Sequence, residues 1–284
     1  SEHDRMQYMR HAIEKSCNVY FYTLGNMLGV DKIHKWAEKL GVAGKTGIDL
    51  PNEQESIVPS TEWKRQRTGE KWYAGETISV SIGQGQVSVT PASLAEMITT
   101  VANGGTRVTP HLIRAVDEGQ GWKTLNPGAT ADKVAFRPET LAALHDGLWM
   151  VVNASGTGGR ARIAGRDVAG KTGTAEKDNV PAYDKNGKRI TVKKRKRGEN
   201  GEWIEYDETV MRRRTDGWFI SIAPIENPQL AIAVVIEDIG GGYGGTTAAP
   251  IAADVILKAR ELGLLGERYR SKAVPAPAPR RRPR

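Results

Sequence analysis

The chain has 284 residues, a single cysteine and a formal net charge of +8. This length supports one substantial hydrophobic core or two small ones, and the ordinary apolar content excludes a disordered chain. The lone Cys17 excludes an internal disulfide, and the longest uninterrupted apolar run, Leu230 to Ile236, is too short to span a bilayer.

The positive charge is concentrated in two segments. Residues 185–214 contribute +6 and residues 268–284 contribute +7, so the remaining body of the chain has a net charge of −5. Neither segment has the apolar periodicity of a packed element, which predicts a solvated loop and a disordered tail rather than a nucleic-acid-binding surface. Attraction of the two segments to an anionic surface stays open as an alternative.

Helices are predicted first along the chain. His3–Lys15 and Asn18–Leu28 have helical patterns, and a third helix follows with Asp31 as its N-cap and Gly41 just after its end. Ser16 therefore lies between the first two predicted helices.

The second half of the chain changes from helices to strands. Two helices that open with proline are followed by three strands and a last helix: Thr90–Ala102, Pro138–Val152, Arg166–Glu176, Gly217–Pro224, Leu230–Asp238 and Ala249–Leu262. Helices followed by adjacent strands and a closing helix predict an α+β fold of the α/β sandwich type, in which helices cover an antiparallel sheet.

The pentapeptide AGKTG occurs twice, at residues 43–47 and 169–173. The second copy completes a P-loop pattern, G-x-x-x-x-G-K-[ST], that begins at Gly165. A P-loop needs a helix that starts at the Lys-Thr pair, and the acidic and amide-containing stretch that ends at Pro181 does not favour one. The first copy has Lys39 in place of the leading glycine. Nucleotide binding is therefore not expected from either copy.

The other interpretation of the second copy is a strand that faces a cleft. Acyl transfer to a serine uses a nearby cation, a hydroxyl for the substrate carboxylate, and a residue without Cβ against which the substrate backbone can lie. Lys171, Thr172 and Gly173 supply these groups in order. The backbone N–H of Thr174 would then face the developing oxyanion. The triplet alone is a weak signal, because it recurs at Lys45.

Ser16-Cys17-Asn18 is the only Ser-x-Asn in the chain. Residues two apart face different ways on a regular helix, so both can enter one cleft only at a helix start or in a loop. The place of Ser16 between two predicted helices meets this condition. The alternative that Ser16 is an N-cap and Asn18 a first-turn residue stays open, and Cys17 is predicted to be a packing residue.

These motifs resemble the transpeptidase domain of class B penicillin-binding proteins, most closely the elongation-specific penicillin-binding protein 2. The segments that carry the resemblance follow the family's order from Met6 to about Leu265: AIEKSCNVYFYTLGNMLGVDKIHKWAEKLG, KTGIDLPNE, PSTEWK, TISVSIGQG, VTPASLAEMITTVANGG, HLI, VAGKTGTAE and DGWFISIAP. The resemblance implies a β-lactamase/transpeptidase-like domain over residues 1–266, with a basic insertion at about 178–215 and a disordered tail at 267–284.

The resemblance also implies a role for each site residue. Ser16 would relay a proton, Asn18 would hydrogen-bond the substrate amide, and Lys171 would favour the relay electrostatically. Thr172 and Thr174 would bind the terminal carboxylate of the substrate. The substrate would be a peptidoglycan stem peptide ending in D-Ala-D-Ala, cross-linked through a serine acyl-enzyme that β-lactams trap.

Partners and location follow from the same resemblance. The family acts at the periplasmic face of the bacterial inner membrane, which implies an N-terminal anchor not present in this chain. A membrane glycosyltransferase of the elongation machinery is the implied protein partner. No cofactor, metal or nucleic acid is implied.

Three features depart from the family pattern. The Ser-x-x-Lys motif of the nucleophile occurs nowhere in the chain, Gln86 stands where the family often has an aromatic residue, and the basic insertion is long. Without its nucleophile this chain alone is expected to be nearly inactive, either as a truncated piece or as a part completed by another chain. A non-catalytic fragment that binds peptidoglycan or β-lactams is the alternative. A β-lactamase is disfavoured, because no Glu-x-x-x-Asn lies between the two motifs.

Overall fold

The computed structural model describes residues 8–125, 130–164, 168–225 and 227–265. Within these ranges the chain forms the following helices and strands, in order: α1 Met9–Lys15, α2 Asn18–Leu28, α3 Val30–Lys39, α4 Thr61–Thr68, α5 Ala74–Val80, α6 Pro91–Ala102, β1 Thr106–Val108, β2 Ala115–Asp117, β3 Trp122–Thr124, β4 Thr130–Lys133, α7 Pro138–Asn153, β5 Ala169–Pro181, β6 Thr191–Arg197, β7 Trp203–Thr209, β8 Met211–Ala223, β9 Leu230–Ile236 and α8 Gly244–Glu261.

The main sheet has three antiparallel strands in the order β5-β8-β9. Strand β8 lies in the centre and pairs with β5 so that Thr172 faces Phe219 and Thr174 faces Gly217. Strand β5 is therefore an edge strand, and one row of its backbone groups points away from the sheet.

Helices cover this sheet. Helix α8 packs against all three strands, α7 against β5, and α6 against β8 and β9. The C-terminal half of β8 is buried almost throughout, which is the pattern of a strand covered on both faces. The predicted α+β architecture, an antiparallel sheet covered by helices, is confirmed.

A second, smaller hydrophobic cluster joins the N-terminal helices to the segments around them. Its buried members are Val30, Ala37, Val58 and Val80. Helix α5 approaches α2 so closely that a Cβ on Gly25 would lie 1.7 Å from Ser81 Oγ. The close approach requires glycine at this position of α2.

The proline-initiated helices agree with their predictions. Helix α6 has Pro91 at its first position and Thr90 as its N-cap, whose hydroxyl accepts a hydrogen bond from the backbone N–H of Ser93 at 3.2 Å. Helix α7 starts at Pro138 and ends one residue later than predicted. The first predicted helix is confirmed from Met9 onward, and its start at His3 lies outside the described residues.

The N-cap predicted for α3 is wrong. The helix starts at Val30, with Gly29 in the N-cap position, so Asp31 belongs to the first turn. The Asp31 carboxylate instead accepts hydrogen bonds from the backbone N–H and hydroxyl of Thr61, at 2.8 and 3.0 Å. The sequence could not show this contact, because Thr61 lies thirty residues away on α4.

Several strand and helix boundaries in the C-terminal half also differ from the predicted ones. Strand β5 runs on to Pro181, β8 starts at Met211 rather than Gly217, and α8 starts at Gly244 rather than Ala249. The prediction placed Pro250 near a helix start, whereas this proline lies inside α8. The predicted start of β5 at Arg166 falls outside the described residues.

The basic insertion is not a loop but a β-hairpin. Strands β6 and β7 pair over their full length, so that Lys193 faces Asp207 and Arg195 faces Glu205. The five basic residues of β6 are balanced by five acidic residues between positions 199 and 208, which leaves residues 191–209 uncharged overall. Every residue of β6 is exposed, so the predicted exposure is correct and the predicted lack of structure is wrong. Cross-strand ion pairs account for this difference.

Two features of the remaining structure bear on the predictions about the membrane and the tail. Within the described ranges, none of the helices is both long and apolar enough to cross a membrane. The predicted tail at 267–284 lies outside the described residues.

Candidate active site

Ser16 lies in a sharp turn between α1 and α2. It has a left-handed backbone conformation, with φ 52° and ψ 49°, and is the C-cap of α1. The N-cap position of α2 is occupied by Cys17, which is buried. The N-cap alternative for Ser16 is therefore wrong, and the packing role predicted for Cys17 is confirmed.

The turn solves the geometric problem of the Ser-x-Asn spacing. Left-handed backbone at a non-glycine residue is uncommon and costs free energy, and such conformations occur often at functional sites. Asn18 follows as the first residue of α2. The side chains of Ser16 and Asn18 line one cavity, as the spacing required.

Lys171 lies near the start of β5, and its side chain reaches across to Ser16. Its Nζ donates a hydrogen bond of 2.5 Å to Ser16 Oγ and one of 2.9 Å to the backbone carbonyl of Thr172. Burial lowers the pKa of Lys171 from its ordinary value of 10.5 to about 8. Most Lys171 side chains are therefore cationic at neutral pH, yet deprotonation is accessible at mildly alkaline pH.

The free edge of β5 continues the site beyond Lys171. In an antiparallel strand the N–H and C=O of one residue point to the same side, and this side alternates along the strand. The carbonyls of Thr172 and Thr174 accept hydrogen bonds from side chains, those of Lys171 and Gln84. The backbone N–H groups of these two threonines consequently face the cleft, where Thr174 is predicted to meet an oxyanion.

The prediction that Gly173 leaves room for a substrate backbone needs an addition. A Cβ on Gly173 would lie 3.2 Å from Trp218 Cβ on the neighbouring strand. A side chain at this position would therefore crowd Trp218 as well as a substrate backbone that lies against the strand.

The start of α8 forms the far wall of the site, which the sequence analysis missed. Gly244 lies so close to β5 that a Cβ would be 2.2 Å from the carbonyl oxygen of Gly173. The backbone N–H of Gly244 donates to Thr174 Oγ1 at 3.4 Å. A helix N-terminus beside two threonine hydroxyls favours a bound carboxylate. The glycine run before Ala249 was the available signal.

A polar network also missed in the sequence links α1 to β5. Ser155, in the loop after α7, donates to the buried carboxylate of Glu14 from its backbone N–H and its hydroxyl, at 3.2 and 2.9 Å. Two residues later, Thr157 Oγ1 lies 2.6 Å from Thr172 Oγ1. The helix that ends at Ser16 and the strand that carries Lys171 are therefore held by one loop.

The predicted site residues share one cavity of about 730 Å³. This volume is in the range of small-ligand sites in proteins. All six predicted residues line it: Ser16, Asn18, Lys171, Thr172, Gly173 and Thr174. The sequence did not indicate the other lining residues: Phe21, Ser81, Ile82, Gln84, Thr157, Tyr243, Gly245 and Thr246.

The two copies of AGKTG have different surroundings. Lys45 is exposed on a connecting segment, and the neighbouring Thr46 bonds Glu53 instead of facing a cavity. Lys171 and Thr172 lie inside β5, and no helix begins there. The second copy is therefore not a P-loop, and its predicted strand is confirmed. Among the described residues, no group of three or more His, Cys, Asp or Glu side chains is placed to hold a metal ion.

The lowered pKa of Lys171 predicts a pH-dependent stability. Between pH 8 and 10.5 the unfolded chain keeps a proton that the folded chain has lost, so stability contributed by this site rises with pH in that window. Below pH 8 the cost of burying the cation is fully present. Relative to a Lys171→Met variant, the wild type should gain unfolding free energy from pH 8 to 10.5 in denaturant titrations. Parallel curves for the two proteins would contradict burial of the charge.

Comparison with known proteins agrees with this geometry. Residues 1–257 match the family model of the penicillin-binding protein transpeptidase domain. Peptidoglycan D,D-transpeptidase MrdA of Acinetobacter baumannii is 36% identical over 244 residues, which cover 84% of this chain and 33% of that protein. The chain spans about a third of the length of the curated relatives it matches.

Solved structures show the same fold. Penicillin-binding protein 2 of Pseudomonas aeruginosa, in complex with WCK 5153, has a TM-score of 0.68 at 30% identity. The match covers 93% of this chain and 50% of the Pseudomonas chain. Penicillin-binding protein 2 of Helicobacter pylori, solved in complex with MreC, has a TM-score of 0.65 at 28% identity over 90% of this chain and 40% of its own. The fold is β-lactamase/transpeptidase-like, as expected. The chain belongs to the penicillin-binding protein transpeptidase family, in its penicillin-binding protein 2 (MrdA) branch.

Proposed function

We propose that the protein containing this chain is a peptidoglycan D,D-transpeptidase that cross-links stem peptides ending in D-Ala-D-Ala during cell-wall elongation. The observation that carries the proposal is the 2.5 Å contact between Lys171 Nζ and Ser16 Oγ, beside the free edge of β5. A partly buried cation bonded to a hydroxyl can pass protons to and from a reacting serine and amine.

The reaction consists of two acyl transfers. A serine oxygen attacks the carbonyl carbon of the penultimate D-Ala, the C–N bond to the terminal D-Ala breaks, and the leaving amine takes a proton through Ser16 and Lys171. The amine of a second stem peptide then attacks the ester carbon, the C–O bond to the serine breaks, and the proton lost by the amine passes by the same route to the serine oxygen. The Thr174 N–H faces the oxyanion in both steps. Asn18 hydrogen-bonds the substrate amide.

Carboxylate binding belongs to the opposite wall of the cavity. The hydroxyls of Thr172 and Thr174 and the start of α8 face the same space, and Gly244 N–H already lies 3.4 Å from Thr174 Oγ1. A terminal carboxylate held there would fix the scissile carbonyl relative to Lys171. β-Lactams that bear a carboxylate would be held in the same way.

The nucleophile itself is proposed to lie outside these 284 residues, since they contain no Ser-x-x-Lys. A second cavity of about 570 Å³ is also lined by Lys171. Its lining includes apolar residues, among them Ile33, Val80 and Trp218, and three charged residues, Glu176, Lys177 and Asp216. An apolar segment carrying the serine would bury this surface and end beside Lys171.

The whole protein's surroundings are proposals of the same kind. We assign it to the periplasmic face of the inner membrane, with a membrane glycosyltransferase as partner, and the Helicobacter pylori complex favours an MreC-like partner as well. The second candidate function is non-catalytic binding of peptidoglycan or β-lactams, which the missing Ser-x-x-Lys favours.

Covalent labelling with fluorescent penicillin tests the proposal. The 284-residue chain should stay unlabelled, whereas a chain extended to include an upstream Ser-x-x-Lys segment should be labelled stoichiometrically on that serine. Serine-linked labelling of the 284-residue chain would mean that the nucleophile has been misplaced. If the extended chain is not labelled but binds a stem-peptide mimic in calorimetry, the non-catalytic function is correct.

A further inference from the structure

Gln84 joins the Ser16 side of the cavity to the Lys171 side. It lies in the short loop between α5 and α6, and its side chain lines the cavity that holds both residues. Helix α5, just before the loop, packs against α2, which starts at Asn18. Gln84 is therefore carried by the same group of helices as the Ser-x-Asn turn.

The loop holds the backbone of Gln84 firmly. Gly83 and Gly85 on either side have φ values of 75° and 71°, which glycine adopts without strain. The backbone N–H of Gln84 donates to the carbonyl of Ser79 at 3.0 Å, and the N–H of Gly83 donates to that of Val80 at 3.0 Å. Two glycines and two turn bonds thus fix where the glutamine side chain begins.

The side-chain amide of Gln84 bonds the backbone of β5 on both sides of one residue, Ala175. Its Nε2 donates to the carbonyl of Thr174 at 2.9 Å, and its Oε1 accepts from the backbone N–H of Glu176 at 3.2 Å. A primary amide has the same donor and acceptor as a peptide group. Gln84 therefore pairs with the free edge of β5 as a neighbouring strand would, but over a single residue step.

We propose that Gln84 is a positioning residue that fixes the backbone of Thr174 for its role at the oxyanion. The proposal rests on the proposed acyl-transfer function. Because the carbonyl and N–H of Thr174 point to the same side of the strand, a donor that holds the carbonyl also sets the direction of the N–H. An edge strand without this clamp would let the N–H move relative to the scissile carbonyl.

The clamp acts on the transition state rather than on substrate binding. Gln84 bonds the backbone carbonyl of Thr174, whereas the terminal carboxylate is proposed to bind the side-chain hydroxyls of Thr172 and Thr174. An oxyanion donor contributes most when charge has developed on the carbonyl oxygen. Loss of Gln84 should therefore lower the acylation rate constant k2 and leave the dissociation constant of the non-covalent complex nearly unchanged.

The chain offers a matched control two residues away. Gln86 has the same side chain in the same loop, is exposed, and makes no side-chain hydrogen bond to any described residue. Gln86→Ala should therefore behave as the wild type in every measurement. Gln84→Glu replaces the donor by a negatively charged oxygen, because a carboxylate still accepts from the Glu176 N–H but cannot donate to the Thr174 carbonyl.

The experiment measures acylation by a β-lactam and amide hydrogen exchange in the full protein that contains this chain. Gln84→Ala should lower k2 by about 10- to 100-fold, the scale of a misplaced reacting group, with a thermal midpoint close to that of Gln86→Ala. Exchange of the Glu176 amide should be at least about tenfold faster. Gln84→Glu should lower k2 while the Glu176 amide stays slow to exchange.

Three results would overturn the inference. Unchanged exchange at Glu176 in Gln84→Ala would show that the clamp is not formed, and a wild-type k2 in either Gln84 variant would show that the clamp does not serve the reaction. If Gln84→Ala lowers the thermal midpoint and leaves k2 unchanged, the role of Gln84 is structural only. If the wild type itself is not acylated, the proposed function fails and takes this role with it, while the exchange measurement still decides whether the clamp exists.

Discussion

Lys171→Ala should reduce the rate of acylation by a β-lactam by roughly a hundredfold or more in the full protein, the scale of a lost proton-transfer partner. The variant removes the cation that bonds Ser16 Oγ at 2.5 Å, so the hydroxyl loses both its orientation and its nearest charge. Folding should not suffer in proportion, because the buried ammonium with its lowered pKa carries a desolvation cost that alanine lacks.

Lys45→Ala is the matched control, because the two pentapeptides are identical. Lys45 is exposed, and the group that its segment holds is the carboxylate of Glu53, through Thr46. Its removal should leave acylation within about twofold and stability within about 0.5 kcal/mol, as for an ordinary surface substitution. Stopped-flow acylation and denaturant unfolding of both variants provide the comparison. Equal losses at both lysines, or a larger loss at Lys45, would contradict the assignment of the active site to the second copy of AGKTG.

The parts of the fold that sequence predicted well are those with local signals. Helices α6 and α7 have proline at the first position and a long apolar periodicity, and both were placed within a residue or two. The helices α4 and α5 have only 8 and 7 residues, so periodicity could not separate them from loops. The predicted lengths of β5 and β8 are too short, because both strands leave the buried sheet and continue into solvent.

The hairpin shows how a composition argument fails. A run such as KKRKR predicts a solvated loop when its charges are counted alone. The partner strand WIEYDET supplies the opposite charges in register, and Lys196 lies 5.7 Å from the ring of Tyr206. The hairpin is indicated only when the charges of the two segments are considered together. Residues 191–209 have no net charge, whereas residues 185–214 together carry +6, so attraction of this segment to an anionic surface stays an open alternative.

The candidate site divides in the same way. Ser16 and Lys171 lie 155 residues apart, and only the ordered set of family motifs predicted that they meet. The contacts of Gln84 and Thr157 with β5 were not predictable, because both residues lie in loops far from β5 in the sequence and reach it only through their side chains. Loop contacts of this kind depend on tertiary packing, which no local pattern records.

The left-handed turn at Ser16 predicts that glycine and alanine at this position have the same effect on activity but different effects on stability. A left-handed conformation costs an L-residue about 1–2 kcal/mol, and glycine adopts it without this cost. Ser16→Gly removes the hydroxyl but suits the backbone, whereas Ser16→Ala removes the hydroxyl and keeps the strain. Part of the gain for glycine is offset by the greater freedom of its unfolded chain.

Both Ser16 variants should therefore lose roughly a hundredfold or more in acylation rate, because each lacks the hydroxyl that is proposed to relay the proton. Ser16→Gly should nevertheless be more stable than Ser16→Ala by up to about 1 kcal/mol in denaturant unfolding. Combining Ser16→Ala with Lys171→Met should cost little more than the worse single change, since the two groups act as one unit. A less stable glycine variant would show that the turn is not left-handed in solution, and additive losses in the double variant would show that Ser16 and Lys171 act independently. The same pair of residues thus tests the backbone geometry through stability and the proton relay through rate.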